Sequence, residues 1–398
     1  MSNKLVDVQV NSGLRSNLSE GHPWVYRNQV AGSPQHSDGA WVRVRCGDWR
    51  GIGLWDAEGP IAIRMFARSG IPDRRWVRER VRLAWELRAP VRAQPTTAFR
   101  WLFGESDGLP GITVDLYGPY AVIQTYTTSV DILLPWVAEA LREVTALRGI
   151  LLRRRGETLP EGDRDQSGKI ERLWGDWPER DLTVSEHGLT FKANLFAGQK
   201  TGLFLDHRDN RLTLQGFCAG QDVLNCFAYT GAFSVYAARG GADHVTSCDV
   251  AADALADART NFVLNDFDPA GHEFVTADVF DLLETYAAEG RTFDILVLDP
   301  PSFARSRKHI EVAVRAYTRL NRLAIQCIRP GGLLVSASCT SQLAPDMFRS
   351  MLAASAARAG KRLTLIHEAG QPVDHPVAAH FPEGRYLKFA LGRVLDLP

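Results

Sequence analysis

From about residue 183 onward, apolar runs alternate regularly with helical stretches. Five of the apolar runs are typical of strands, at 222–227, 244–249, 272–278, 293–299 and 333–339. The helical stretches between them start near Ala232, Ala251, Val279 and His309. This alternation predicts an α/β domain whose parallel sheet is covered by helices on both faces. Ligands of such sheets bind beyond the carboxyl ends of the strands, so residues at those ends are the candidate functional groups.

The chain before this alternation shows two other patterns. Residues 1–70 hold four short β-type runs punctuated by Gly and Pro, which are typical of a small barrel: VDVQV, WVRVRC, GIGLW and IAIRMFA. The next part, 71–182, begins with a helical period over 72–88 and continues as strand, turn, strand, helix and strand over 99–155. The polar stretch 163–181 is expected to be a linker or hairpin. Length and pattern together predict three domains, 1–70, 71–182 and 183–398.

The zero net charge conceals an uneven distribution. Residues 1–100 carry sixteen Lys and Arg against nine Asp and Glu, and the rest of the chain carries the opposite excess. One face of the predicted helix 72–88 holds Arg74, Arg75, Arg78 and Arg82. A basic first quarter indicates an anionic partner, and ordinary solvated surface charge is the alternative interpretation.

Location and redox state are indicated by features that the sequence lacks. Because no apolar run could span a bilayer and the first residues have no signal-peptide core, we expect a cytoplasmic protein without a membrane partner. The six cysteines form no C-x-x-C pair, which argues against a metal site and against a disulfide framework.

The turn after the first predicted strand, NCFAYTGAFS (225–234), contains a single glycine, Gly231. A dinucleotide pyrophosphate requires several glycines, whereas S-adenosylmethionine has no phosphate and its carboxylate suits a helix N-terminus. The next two strands end in Asp249, which suits the ribose hydroxyls, and Asp278, which suits the adenine amino group. A plain strand–helix turn with helix-capping aspartates is the alternative. The order of these groups resembles that in class I methyltransferases.

The fourth and fifth strands end in a carboxylate and a thiol. Asp299 precedes Pro300 and Pro301, and the strand that ends at Cys339 is expected to be entered through the turn RPGG (329–332). Attack of a thiolate on C-6 of a pyrimidine makes C-5 nucleophilic enough to accept a methyl group, and an acid near N-3 stabilises the resulting charge. Polar neighbours favour this role for Cys339 over that of a buried core cysteine.

Two nearby residues have simpler interpretations. Cys226 also ends a strand, but it lies beside the predicted cofactor turn and is interpreted as structural. Phe303, after the double proline, could stack on the base or fill the core, and the sequence does not separate these alternatives.

Six segments resemble the bacterial large-subunit rRNA cytosine C-5 methyltransferase family that has an N-terminal PUA-like domain. They are GHPWVYRNQV (21–30), GESDGLPGITVDLYG (104–118), AGQKTGLFLDHRDNR (197–211), DPPSF (299–303), SASC (336–339) and HPVAAHFPEGRYLKF (375–389). The resemblance implies a small PUA-like β-barrel, a central α+β domain and a C-terminal class I methyltransferase domain with a Rossmann-like doubly wound sheet.

The resemblance also implies the site and its partners. Cys339 would be the nucleophile and Asp299 a second catalytic residue, with S-adenosyl-L-methionine as cofactor. The substrate would be a cytosine of 23S rRNA, presented as naked RNA or in a large ribosomal subunit precursor. The implied cofactor-binding residues are Asn225, Phe227, Tyr229, Thr230, Gly231, Asp249, Asp278 and Asp299. Four further residues would lie near the cofactor or RNA without an assigned role: Gln199, Lys200, Thr201 and Arg208.

Two departures and three alternatives remain. Ser302 stands where related RNA enzymes often have a second cysteine, and LLRRRGE (151–157) replaces an expected acidic-Arg-Ser-Asp sequence. A uracil C-5 enzyme would usually continue Cys-Asn-Pro after its nucleophile, whereas Thr340 and Ser341 follow here. A guanine N-methyltransferase would need no cysteine, and a non-catalytic rRNA-binding assembly factor would need only the fold. A homodimer also stays open.

Overall fold

The computed structural model describes residues 5–32, 34–154, 170–196, 201–304 and 309–397. Internal contacts divide the chain into two compact units. Unit 1 comprises Met1–Gly188, Ala193–Leu205 and Val373–Gly384, and unit 2 comprises Leu189–Lys192, Asp206–Pro372 and Arg385–Pro398. The division into three domains stays a prediction.

The first sheet of unit 1 is built from short strands around a small apolar core. Its elements are β1 (Val6–Gln9), α1 (Arg15–Glu20), β2 (Trp24–Tyr26), β3 (Trp41–Cys46), β4 (Trp49–Trp55) and β5 (Ile61–Ala67). The strand order is β1-β3-β4-β5-β2. Alternate residues of the strands point into the core, as Val42 and Val44 of β3 do. The four predicted strands are confirmed, and β2 was not predicted because three residues are too few to show a period.

The second sheet of unit 1 is covered by two amphipathic helices. Its elements are α2 (Arg74–Leu87), α3 (Ala89–Arg92), β6 (Ala98–Phe103), β7 (Ile112–Tyr117), β8 (Tyr120–Thr125), α4 (Leu134–Val144), β9 (Gly149–Arg154) and β10 (Ile170–Gly175). The strand order is β10-β9-β8-β7-β6. Asp73 caps α2 by accepting from the Trp76 amide, and Val77 and Val81 are buried as the helical period predicts. The strand β10 lies in the stretch expected to be a linker or hairpin and pairs antiparallel with β9; residues 163–169 of that stretch are outside the described residues.

The next strand along the chain still belongs to unit 1, and the elements after it belong to unit 2, which holds the large sheet. The elements in order are β11 (Thr183–Glu186), β12 (Leu189–Lys192), α5 (Arg208–Gln215), β13 (Asp222–Cys226), α6 (Ala232–Arg239), β14 (His244–Asp249), α7 (Ala252–Val263), β15 (Glu273–Thr276), α8 (Val279–Glu289), β16 (Phe293–Leu298), α9 (Ile310–Gln326), β17 (Ile328–Ser338), α10 (Pro345–Arg358), β18 (Lys361–Ala369) and β19 (Lys388–Asp396). The large sheet has the strand order β15-β14-β13-β16-β17-β19-β18.

This sheet confirms the predicted α/β doubly wound fold. The first five strands pair in parallel, and the order reverses between β13 and β16. The carboxyl ends of β13, β14, β16 and β17 therefore meet along one edge, where such sheets bind their ligands. Within the described residues, no helix combines the length and apolar composition that are needed to cross a membrane.

Two details differ from the sequence-based expectations. The last strand, β19, runs antiparallel to both β17 and β18, so the sheet is mixed rather than wholly parallel. The expected turn RPGG (329–332) lies inside β17, which begins at Ile328. A register shift between Phe293 and Ile295 accommodates this irregular start. Gly332 fits there because a Cβ would lie 2.6 Å from the carbonyl oxygen of Asp294.

Helix α9 connects the core to the functional edge of the sheet. Its buried residues recur every three or four positions and include Ala313, Tyr317, Leu320 and Ala324. They pack in a cluster with strand residues such as Leu296. The same stripe that fixes α9 on the sheet thus places the Tyr317 hydroxyl beside the end of β17.

Candidate active site

Asn225, the penultimate residue of β13, lies buried at the predicted cofactor turn. Its Nδ2 donates to Ser234 Oγ at 2.9 Å, and Ser234 Oγ lies 2.7 Å from Ser247 Oγ. Its Oδ1 is buried and has no hydrogen-bond partner among the described residues. A buried acceptor without a donor costs free energy, so the pocket suits a ligand that brings a donor, as the amino group of S-adenosylmethionine would.

The turn after Asn225 is wound unusually tightly. Phe227 and Tyr229 adopt left-handed backbone conformations with φ of 59° and 48°, and Gly231 has φ of 75°. A Cβ on Gly231 would lie 2.7 Å from the Cβ of Ala258, so only glycine fits at this position. Left-handed non-glycine residues cost free energy and concentrate at ligand-binding sites. These backbone conformations are typical of a ligand-binding turn rather than of a plain strand–helix connection.

Asp249 holds this turn through both of its carboxylate oxygens. Oδ2 accepts from the Tyr229 amide at 2.9 Å, and Oδ1 accepts from the Ala251 amide at 2.9 Å. The Thr230 carbonyl accepts from Asn261 Nδ2 at 2.8 Å, which ties the turn to α7. Each carboxylate oxygen of Asp249 keeps a second lone pair, so the group can also accept from ribose hydroxyls.

Asp278 follows β15 and caps α8. Its Oδ1 accepts from the amides of Phe280 at 2.8 Å and Asp281 at 3.4 Å, and the residue is exposed. The capping alternative therefore accounts for one oxygen of this carboxylate. A contact of the other oxygen with adenine stays a prediction.

Asp299 follows β16 and meets a histidine that the sequence did not single out. His207 Nε2 lies 3.2 Å from Asp299 Oδ1, and the histidine side chain is only 3% exposed. Asn210 Nδ2 lies 3.1 Å from His207 Nδ1 and donates to the Gly370 carbonyl at 3.3 Å. Because the amide nitrogen can only donate, Nδ1 accepts and the proton sits on Nε2, facing Asp299. The pair Asn210–His207 thus orients the Asp299 carboxylate.

Cys339 lies directly after β17, between two buried residues. The Tyr317 hydroxyl bonds to Ser338 Oγ at 3.1 Å and to Thr340 Oγ1 at 2.9 Å. Ser302 Oγ, from the loop after β16, lies 3.0 Å from Thr340 Oγ1. These hydroxyl groups fix the backbone on both sides of Cys339 and link it to the loop that carries Asp299.

The six thiols differ in accessibility. Cys339 is partly exposed, and the other five cysteines are buried. Burial raises the pKa of Cys218 and Cys248 to about 12 and that of Cys327 to about 11. Burial also raises the pKa of Cys226 well above its usual value, which supports its structural interpretation. At neutral pH these thiols stay protonated and are poor nucleophiles.

Lys388 is a further site residue that the sequence pattern did not single out. It lies opposite Ser338 in the antiparallel pair β17–β19 and is 4% exposed. Its Nζ donates to the carbonyls of Thr340 at 2.5 Å and Tyr386 at 2.7 Å. Burial lowers the pKa of Lys388 to about 8. The segment RYLKF contributes to the family resemblance, but nothing in its sequence distinguishes a buried lysine from an exposed one.

Phe303 belongs to the packing beneath the site. Its ring centroid lies 4.6 Å from that of Tyr317 and 6.3 Å from that of Phe280. Among its two open interpretations, these contacts favour core packing over base stacking.

The four residues without an assigned role are described only in part. Gln199 and Lys200 lie outside the described residues. Thr201, in unit 1, donates to Asp115 Oδ2 at 2.6 Å. Arg208 is buried at the start of α5 in unit 2. Their roles stay open.

The predicted arginine face of α2 is largely occupied by ion pairs. Arg74 pairs with Glu139, Arg78 with Glu143 at 3.6 Å, and Arg82 with Glu79 at 2.7 Å. In segment 151–157, whose sequence differs from the family pattern, Arg154 pairs with Asp131 at 2.5 Å, and residues 155–157 lie outside the described residues. The charge excess of the first quarter thus overstates the cations that this face offers to an anionic partner.

A doubly wound sheet with a carboxylate after its second strand and a single-glycine first turn defines the class of S-adenosylmethionine-dependent methyltransferases. The sequence family described as S-adenosylmethionine-dependent methyltransferase matches residues 158–381, and a PUA-like domain matches residues 8–68.

Curated relatives and solved structures agree with this class. A Shewanella denitrificans protein named Ribosomal RNA large subunit methyltransferase I is 35% identical over 98% of this chain and 99% of its own. An Aeromonas salmonicida protein of the same name is 34% identical over 94% of this chain and 96% of its own. This chain belongs to the ribosomal RNA large subunit methyltransferase I family. A candidate SAM-dependent methyltransferase from Streptococcus mutans has the same fold, with a TM-score of 0.86, 24% identity and coverage of 98% of this chain and 100% of that one.

The comparisons bear out the predicted cofactor, S-adenosylmethionine. Its sulfonium supplies an electrophilic methyl group. The site fits a ligand that has an amino group and a ribose. Asn225 Oδ1 lacks a partner among the described residues, the turn at Gly231 is tight, and both oxygens of Asp249 accept hydrogen bonds from backbone amides. The assignment of individual residues to parts of the cofactor stays a prediction.

Proposed function

We propose that this protein methylates C-5 of a cytosine in 23S rRNA through a covalent adduct with Cys339. Relatives named Ribosomal RNA large subunit methyltransferase I support the RNA substrate. The observation that carries the chemistry is the position of Cys339. It is the one partly exposed thiol among six cysteines, and it lies after β17, next to the strand that ends before Asp299.

The reaction assigns one task to each group. The Cys339 thiolate adds to C-6 of the cytosine, and the electron pair of the C5–C6 double bond becomes available at C-5. Asp299 acts as the acid: its protonated oxygen donates to N-3, where negative charge develops. After C-5 has taken the methyl group, a water molecule acting as the base removes the C-5 proton. The C5–H electron pair re-forms the C5–C6 double bond as the C6–S bond breaks, and the Cys339 thiolate leaves. The target base must leave its stack to reach these side chains.

The structure supports this chemistry by holding both groups in place. Hydroxyl contacts from Tyr317 and Ser302 fix the residues beside Cys339, and His207 fixes one oxygen of Asp299. Burial raises the pKa of Tyr317, so its hydroxyl keeps its proton and remains a donor. Groups that are fixed before the substrate binds need no reorganisation during the reaction.

RNA binding by residues 8–68 would use arginines that do not form ion pairs with acidic residues of the described chain. Arg50 and Arg68 are exposed, and Arg68 lies over the Trp49 ring at 4.5 Å. A guanidinium held on an aromatic face keeps its N–H donors free for phosphate oxygens.

An RNA with 5-fluorocytosine at the target position tests the covalent mechanism. After methyl transfer the fluorine cannot leave as a proton does, so we expect a persistent protein–RNA adduct in denaturing electrophoresis. Cys339→Ser should bind S-adenosylhomocysteine normally but give neither adduct nor turnover, because a serine hydroxyl is essentially not ionised at neutral pH. Cys327→Ser is the matched control, since that thiol is buried, and it should still form the adduct.

The same assay separates the alternatives. Trapping by 5-fluorouracil RNA alone would assign the reaction to uracil C-5. Normal methylation by Cys339→Ser would refute the covalent mechanism and favour a guanine N-methyltransferase. Cofactor binding without any methyl transfer to rRNA would indicate a non-catalytic assembly factor.

A further inference from the structure

Lys388 is a buried cation beside the proposed nucleophile. Its ammonium bonds to two neutral carbonyls, those of Thr340 and Tyr386, and the first of these belongs to the residue after Cys339. Within the described part of the chain, no carboxylate forms an ion pair with this ammonium. Burying a cation without a counter-charge is costly, so the fold must offset this cost in another way.

The charged and titratable groups around Lys388 leave Cys339 as the partner. On its own segment, Arg385 repels the ammonium. Cys339, directly after β17, attracts the ammonium, and this attraction opposes the desolvation that lowers the pKa of Lys388. The Tyr317 hydroxyl is protonated and neutral. The Asp206 carboxylate accepts from the Tyr386 hydroxyl at 2.6 Å, and it is not among the charges that act on Lys388. A thiolate at Cys339 is therefore the anion that the surroundings of Lys388 favour.

We infer that Lys388 is a positioning residue whose ammonium stabilises the thiolate of Cys339 and anchors the peptide after it. This inference rests on the proposed function, in which Cys339 attacks as a thiolate. It also gives the antiparallel strand β19 a role in the reaction, because that strand places Lys388 opposite the end of β17. The lysine is buried there, and its ammonium supplies charge where the thiolate forms.

The test measures thiolate formation directly and needs no RNA. Iodoacetamide alkylates thiolates with loss of iodide, and Cys339 is the accessible thiol of this chain. The full-length protein would be alkylated between pH 5.5 and 10, and the rate of modification at Cys339 would be followed by mass spectrometry. We expect Lys388→Met to move the midpoint of the profile upward by about one pH unit, and the rate near neutral pH to fall about tenfold. Lys388→Arg keeps a cation, so its profile should stay close to that of the wild type.

Two outcomes would overturn the inference. One is a Lys388→Met profile that coincides with that of the wild type. The other, which does not depend on the variant folding, is a wild-type midpoint at or above the ordinary thiol value of about 8.5. Cys339→Ser must remove the signal, which confirms the modified residue. Failure of the proposed function is distinguishable, since it would appear as normal rRNA methylation by Cys339→Ser, whatever the alkylation profile.

Discussion

Replacement of Asp249 by alanine tests the cofactor pocket most directly. In the structure each oxygen of this carboxylate accepts one backbone amide at 2.9 Å, from Tyr229 and Ala251. Hydrogen bonds to a charged acceptor contribute about 1.5–3 kcal/mol each. If the remaining lone pairs accept from the ribose, losing one such bond weakens cofactor binding by about 10- to 150-fold.

The assay is isothermal titration with S-adenosylhomocysteine. The same substitution frees the Tyr229 amide, so part of any loss could come from a loosened turn rather than from the ribose. A thermodynamic cycle with a 2′-deoxy analogue of the ligand separates the two effects. We expect the penalty of Asp249→Ala to be large for the parent ligand and much smaller for the analogue.

The matched control is Asp253→Ala. Asp253 is an exposed acid in the first turn of α7, four residues after Asp249, so it changes the net charge equally without touching the turn. It should leave the affinity within about twofold, since exposed charges contribute little. An unchanged affinity in a folded Asp249→Ala protein would refute the pocket assignment. An equal penalty for both ligands would refute the ribose contact.

Two further predictions concern residues that the structure brought to light. His207→Ala should lower kcat at least about tenfold with little change in cofactor affinity. His207→Gln should recover much of the lost kcat, because a side-chain amide can donate to Asp299 as Nε2 does. Steady-state methylation assays measure kcat, and equal values for the wild type and both variants would contradict the proposed role of His207. The double variant Arg50→Ala/Arg68→Ala should weaken rRNA binding and reduce its salt dependence by about two phosphate contacts. The double variant Arg74→Ala/Arg78→Ala should have a small effect, because both of these arginines already pair with glutamates. Filter binding at several salt concentrations measures both effects, and a larger loss of affinity from Arg74→Ala/Arg78→Ala would refute the assignment of RNA binding to Arg50 and Arg68.

The strand ends of the large sheet were predictable because the sequences of buried parallel strands are continuous apolar runs. Where such a run stops at a polar residue, as at Asp249 or Cys339, the sequence itself marks the edge of the sheet. Helix α2 was equally visible, since Asp73 caps it and its apolar residues repeat with the helical period. These elements depend on local pattern alone.

Contacts between distant segments were not predictable in this way. His207 meets Asp299, and Lys388 meets Thr340, only after the sheet has assembled. The position of β19 between β17 and β18 follows from tertiary packing, because strand–helix alternation does not specify an antiparallel strand inserted between two others. The arginine face of α2 failed as a guide for a related reason. Its acidic partners on α4, Glu139 and Glu143, lie more than fifty residues away in sequence.

Ser302 shows how a departure from a family pattern can be consistent with the proposed reaction. A second cysteine at this position would add a thiol beside the nucleophile, but one thiolate is enough to form and break the adduct. The serine hydroxyl instead donates to the Ala304 carbonyl at 3.0 Å and contacts Thr340 Oγ1 at the same distance. A hydroxyl makes stronger hydrogen bonds than a thiol. A serine at this position therefore provides a hydrogen bond in place of a reactive thiol. The bond joins the loop after β16, which carries Asp299, to Thr340, so one hydrogen-bond network holds both proposed catalytic residues.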